Sequence, residues 1–203
     1  TALPGTTGRP TVLLDMGANA DVRPDMLVQF AQMGRAYSRV VVGVDDPTVA
    51  LLSNGSEDTK GSSAVVAAHT ALAALGESWF VGNCEGTDLL AGRFDVIVTD
   101  GFTGNVALKS LEGTAKFLLG ELKSAIEDSK RAAVGALMIK PALKDLSQKL
   151  SGDAYGGAIF LGLKAPVLIG HGATSAEAVK NGTLACARAH DSRLVDRIVA
   201  EVA

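Results

Sequence analysis

Five times along this chain a short apolar run halts at a cluster of glycine, asparagine, aspartate and threonine. The runs are residues 11–15, 49–52, 79–81, 95–99 and 167–169, and the clusters are residues 15–21, 54–61, 82–88, 100–105 and 170–175. Between them lie stretches with helical spacing: Pro24 suits a first turn, followed by Leu27, Phe30, Ala31 and Met33 at helix period. Further helices are expected over residues 61–75, briefly near 87–90, over 105–127, over 130–150 with an interruption near Pro141, and twice after Ser175. Strands that alternate with helices imply a parallel sheet, because a crossover helix is what returns the chain to start a neighbour in the same direction. The expected class is therefore α/β, a mostly parallel sheet between two helical layers. A sixth run, residues 40–44, is near-continuously apolar and is expected as a strand buried on both faces.

Composition narrows the function classes. Apolar residues are 47% of the 203 and aromatics only 4%, so the core is aliphatic. With 19 basic and 22 acidic residues the net charge is −3, which gives none of the broad positive field of a nucleic-acid binder. Cys84 and Cys186 are isolated, without metal-type spacing, which suits a reducing cytoplasm. The opening residues lack the charged head and apolar run of a signal peptide, and the chain is expected to begin mid-protein. No stretch reaches the roughly 20 apolar residues of a membrane span.

In open α/β sheets ligands bind outside the carboxyl ends of the strands, where these five clusters sit. Glycine lets backbone approach an anion, and the first amides of a helix point donors at it. Thr59, Lys60 and Gly61, opening a helix, suit a phosphate. Ordinary turn chemistry and helix capping use the same residue types, so one such loop alone says little. Of the three histidines, His69 and His190 fall in helices, whereas His171 stands between two glycines directly after a strand. No Gly-x-Ser-x-Gly elbow, no metal-ligand cluster and no Gly-x-Gly-x-x-Gly fingerprint occurs.

The clusters also carry a family likeness. The segment LLDMGANADVRPDMLVQFAQMG is similar to the pattern LLDxGANxDxxPxxLxQFAxMG of the PlsX-type phosphate acyltransferases. SNGSEDTKG, GNCEGTDLL, DGFTGNVALKSLEG and YGGAIFLGLKAPVLIGHGATS resemble that family's later blocks, in its order, over nearly the whole chain. Departures are few: Ser62 for the usual Asn, Cys84 for Val, Thr87 for Arg and Thr174 for Ser. The family's opening Gly/Asp-rich segment and its AGNTGA loop do not occur, so the resemblance covers the C-terminal portion of such an enzyme. A more distant likeness to phosphotransacetylases runs through LLSNGSEDTKGSSA and FDVIVTDGFTGNVALK.

The resemblance implies an isopropylmalate-dehydrogenase-like αβα fold in one domain over residues 1–203, with long protruding helices over 105–150. It also implies conversion of acyl-ACP and inorganic phosphate to acyl-phosphate and ACP, without a cofactor. Phosphate itself attacks the thioester, so the protein must hold the dianion, place it and stabilise an oxyanion. Lys60 is the candidate for phosphate charge, with the Thr59 and Gly61 amides beside it. Asn105 with the Gly104 backbone is the candidate oxyanion donor, His171 protonates the leaving thiolate or orients phosphate, and Asp100 holds a partner in place. Asn19, Asp21, Gly172 and Thr174 are candidate substrate contacts.

The implied partners are acyl carrier protein, inorganic phosphate, a second copy of the chain, the membrane surface and a membrane acyltransferase. Residues 132–139 are the most apolar outside the strands and are flanked by Lys130, Arg131, Lys140 and Lys144, a pattern that suits interfacial binding. Leu137, Met138 and Ile139 are the candidate membrane contacts, although the same residues would suit a hairpin tip packed on a dimer mate. The apolar stripe Leu111, Leu118, Leu119, Leu122 and Ile126 either covers the sheet or meets a second copy.

Overall fold

Alternation within the apolar runs decides the layers. In the computed structural model, which describes residues 1–150, 157–170 and 175–202, five strands form one sheet: Ala2–Leu3 (β1), Thr11–Leu14 (β2), Val49–Leu52 (β3), Phe80–Cys84 (β4) and Val96–Val98 (β5). Their order is β1-β2-β5-β3-β4, parallel throughout except for β1. Successive side chains of a strand point to opposite faces. Val12, Val49, Leu51, Val96 and Val98 accordingly join one core, and Leu13, Ala50, Leu52 and Ile97 the other.

Helices Pro24–Tyr37 (α1), Ser63–Ala74 (α2), Ala176–Asp191 (α5) and Leu194–Val202 (α6) supply the first core, through Leu27, Phe30, Ala68, Leu72, Ala189 and Leu194 among others. Glu201 fastens α6 to α1, accepting from Arg35 at 3.2 Å and Arg39 at 2.6 Å, while Arg35 lies 5.3 Å from the Trp79 ring centroid. On the second face, Leu89 packs together with Ala107, Leu108 and Leu111 of helix Gly101–Glu127 (α3). The architecture is thus three-layer αβα with a mostly parallel sheet, as the sequence predicts.

Three local expectations are corrected. Residues 40–44 are not a strand: α1 runs on into a π-helical turn, Ser38–Val42, closed by Gly43 in the left-handed region and by its N–H on the Ser38 carbonyl at 2.9 Å. Only Asp45, Asp46, Pro47 and Thr48 separate this stretch from β3, too few for the crossover of a dozen or so residues that two parallel neighbours need. Helix Lys130–Leu150 (α4) continues through Pro141. That helix is exposed around most of its surface, so water can meet the carbonyl the proline leaves without a partner. Finally, Val167–Ile169 (β7) pairs antiparallel with Ala158–Phe160 (β6) in a separate two-stranded sheet rather than extending the main one.

The second half of α3 does not cover the sheet. Its packing there ends at Leu111, and beyond it Phe117, Leu118 and Leu122 stand exposed while α3 turns back against α4.

Candidate active site

Parallel pairing sets the carboxyl ends of β2, β5, β3 and β4 along a single sheet edge. Four of the five predicted clusters lie there. The fifth contains His171, Gly172 and Thr174, which are outside the described residues.

At the end of β2 the Asp15 carboxylate gathers the loop behind it. It accepts from the N–H groups of Met16, Gly17 (3.1 Å), Ala18 (3.1 Å) and Asn19 (2.8 Å), and from Asn19 Nδ2 (2.9 Å). Asn19 is half-buried and Asp21 exposed.

The first turn of α3 stands on this loop. Asp100 is its N-cap, its carboxylate accepting from the Thr103 N–H and the Thr103 hydroxyl, both at 2.7 Å. The Gly101 N–H donates to the Asn19 carbonyl at 2.7 Å. A Cβ on Gly101 would lie 2.7 Å from that same oxygen, and one on Gly104 would fall on the Asp15 carbonyl. Only glycine permits so close an approach of helix to loop. The contact brings Asn105 beside Gly17: a Cβ placed on Gly17 would be 3.9 Å from the Cβ of Asn105. Asn19, Asp100, Gly104 and Asn105 are thus gathered at the joined ends of β2 and β5.

Lys60 stands one strand over. Its aliphatic stem crosses Gly55, where a Cβ would lie 2.9 Å from the Lys60 Cγ and 2.7 Å from the Glu57 Oε2. The lysine is exposed, and among the described residues its ammonium forms no ion pair. Gly61 turns the chain at φ +109° into α2, whose first turn the Ser62 hydroxyl caps by accepting from the Val65 N–H. Thr59 and Gly61 are exposed beside Lys60.

Asn83 of β4 anchors this loop from below. Its Nδ2 donates to the Glu57 carbonyl at 2.7 Å, and its Oδ1 pairs with His69 Nδ1 at 3.0 Å. His69 also meets Phe80 edge-on, and serves as a packed support.

Sequence reasoning missed the parts played by Asp15 and Asn83. The signal for the first was present: an aspartate closing a strand, with glycine two residues on, is a common start for a side-chain-capped turn. Asn83 carried no such local sign, since its partners come from elsewhere in the chain. Cys84 is buried and its thiol is pushed up to about 12 by that burial, which leaves it no thiolate for attack near neutral pH. Among the described residues no three His, Cys, Asp or Glu side chains assemble as a metal site. Two concavities lie away from this edge, one along Asp191–Arg197 side chains of α5 and α6, the other between Tyr37, Val41 and Arg188.

The chain matches the fatty acid synthesis protein family over residues 1–197. It is 47% identical over 199 residues to a phosphate acyltransferase of Thermobifida fusca, covering 95% of this chain and 54% of the relative. A phosphate acyltransferase of Nostoc punctiforme is 42% identical over 191 residues, covering 94% and 56%. One from Anaeromyxobacter is 47% identical over 201 residues, covering 99% and 55%. The chain spans about half the length of the curated relatives it matches.

Proposed function

The chain belongs to the fatty acid synthesis protein family, with PlsX-type phosphate acyltransferases among its relatives, and from that membership we propose that it serves the transfer of an acyl group from acyl carrier protein to inorganic phosphate, in phospholipid synthesis. The observation that carries the proposal is the shared sheet edge: a lysine without an ion pair among the described residues, on a glycine-turned helix entry, one strand from the asparagine that α3 presents over the β2 loop.

In this reading phosphate sits against Lys60 and the amides around Thr59 and Gly61. One phosphate oxygen attacks the thioester carbon, and the carbonyl electrons move onto oxygen, where Asn105 donates a hydrogen bond. The intermediate collapses with cleavage of the C–S bond, and the thiolate leaving with the carrier takes a proton, a role assigned to His171. Oriented donors placed where charge develops lower the barrier without any covalent enzyme intermediate. Asp100 acts indirectly, by capping the helix that carries Asn105. Asn19 and Asp21 border the carbonyl side.

The test is acyl-phosphate formation, trapped with hydroxylamine, from acyl-ACP or acyl-CoA with phosphate. Faster turnover with acyl-ACP supports the proposal, and a preference for acyl-CoA favours a phosphotransacetylase. The exposed apolar face of Leu137, Met138 and Ile139 favours a second reading, a catalytically silent module for dimerisation or membrane docking, which an absence of turnover with either thioester would support.

Membrane contact and a homodimer are part of the same proposal. Val134, Leu137, Met138 and Ile139 are all exposed, Met138 at 83%, and no helix among the described residues is long and apolar enough to cross a membrane. Laid on an anionic surface, Lys130, Arg131, Lys140 and Lys144 would each contribute about 1 kcal/mol. Leu137→Glu with Ile139→Glu is expected to abolish co-sedimentation with anionic vesicles while leaving the melting temperature unchanged. Equal binding by parent and variant would remove this segment as the contact and leave it to a partner copy, which light scattering would reveal.

A further inference from the structure

Asp15 is only 5% exposed, yet the reaction above gives it nothing to do. A buried carboxylate is costly unless its lone pairs are met. Here five donors meet them: Oδ1 takes the N–H groups of Met16, Gly17 and Ala18, and Oδ2 takes the N–H and the Nδ2 of Asn19. The residue's own backbone is pinned as well, its N–H donating at 3.0 Å to the carbonyl of Thr99, the residue just past β5. The loop held in this way is the seat of α3, through the Gly101 N–H on the Asn19 carbonyl and through the close approach of Gly104 to the Asp15 carbonyl.

Two consequences follow from the direction of these bonds. The four loop amides converge on Asp15, so they are not offered to a ligand anion, unlike the amides of a loop that cradles phosphate. The Asn19 carboxamide is oriented too, because a carboxylate only accepts and must therefore face the Nδ2 side.

We propose that Asp15 is a positioning residue for the acyl transfer: it freezes the seat on which the first turn of α3 stands, and so sets Asn19 and Asn105 relative to each other without touching phosphate. The proposal rests on the acyl-transfer reading above. It assigns the β2 loop to the carbonyl side of the reaction and leaves phosphate binding to the Lys60 loop.

The test combines kinetics with amide hydrogen exchange in Asp15→Asn, Asn19→Ala and the double variant. Asp15→Asn is expected to lower kcat by about 10- to 100-fold while the phosphate KM stays within about twofold, as misplacement of a group at the reacting carbon would do. The double variant should lose little more than Asp15→Asn alone, because the aspartate acts in part through Asn19. Exchange at residues 101–105 should quicken in Asp15→Asn. A phosphate KM that rises in step with the kcat loss, fully additive losses, or unchanged exchange in α3 would each overturn the proposal. Should Asp15→Asn lack a cooperative melt, Asn19→Ala removes a single donor and carries the test, and a wild-type kcat there overturns it. An inactive parent whose α3 protection depends on Asp15 sinks the acyl-transfer reading alone. An active parent whose α3 protection ignores Asp15 sinks the positioning role alone.

Discussion

Gly104→Ala should destabilise the protein by about 3 kcal/mol, at the upper end for overpacking, even though alanine is the better helix former by about 1 kcal/mol. The added methyl would fall on the Asp15 carbonyl oxygen and lie 3.0 Å from the Thr99 Cγ2. A backbone carbonyl cannot swing aside as a side-chain tip does, so either α3 lifts from the β2 loop or the loop shifts under it. For a chain of this size the melting temperature should fall by roughly 6–12 °C. Gly113 of the same helix is the control, with nothing within 4 Å of a Cβ placed there. Gly113→Ala should be neutral or stabilising by up to about 1 kcal/mol. Similar melting shifts for the two variants would show that the close approach at Gly104 is not a constraint. If the proposed chemistry holds, Gly104→Ala should also lose activity in whatever fraction stays folded, because Asn105 moves with its helix.

Lys60→Ala is the second large expected effect, this one on chemistry rather than folding. The side chain is exposed and forms no ion pair among the described residues, so its removal should leave the melting temperature within about 1 °C, the small change usual for an exposed substitution. A charge-assisted contact to phosphate is worth about 1.5–3 kcal/mol. The phosphate KM should therefore rise, or kcat/KM for phosphate fall, by roughly 10- to 100-fold. Lys60→Arg, which keeps the charge but changes its geometry, should recover part of the loss. Phosphate kinetics unchanged in Lys60→Ala would move the anion site off the β3 loop. The pairing of this variant with Asp15→Asn is informative, since one should act on phosphate KM and the other on kcat.

Three kinds of information were legible along the chain because each is local. Val12 and Leu13, or Ala50 and Leu51, alternate between the two cores because successive strand residues face opposite ways, so the runs that became β2, β3 and β5 could be placed from their pattern alone. Pro24 opened a helix because its missing N–H has no partner in a first turn anyway. The strand-end clusters marked the edge where Asn19, Lys60, Asp100 and Asn105 now lie, since a crossover connection must turn sharply at that end of each strand.

What tertiary structure decided is whatever depends on residues far apart in sequence. An apolar stretch such as residues 40–44 fits a buried strand or a buried helical turn equally, and packing against α5 together with the short link to β3 settled it as helix. Val167–Ile169 could pair with any available edge, and its partner proved to be β6. The stripe on α3 read as one continuous apolar face, yet contact with the sheet stops at Leu111 because the helix outruns the strands beneath it. Asp15 and Gly104 show the division most clearly. Each residue type was plain in the sequence, but its importance arises from a backbone contact across 89 positions, and no local pattern encodes how closely a helix will approach a loop.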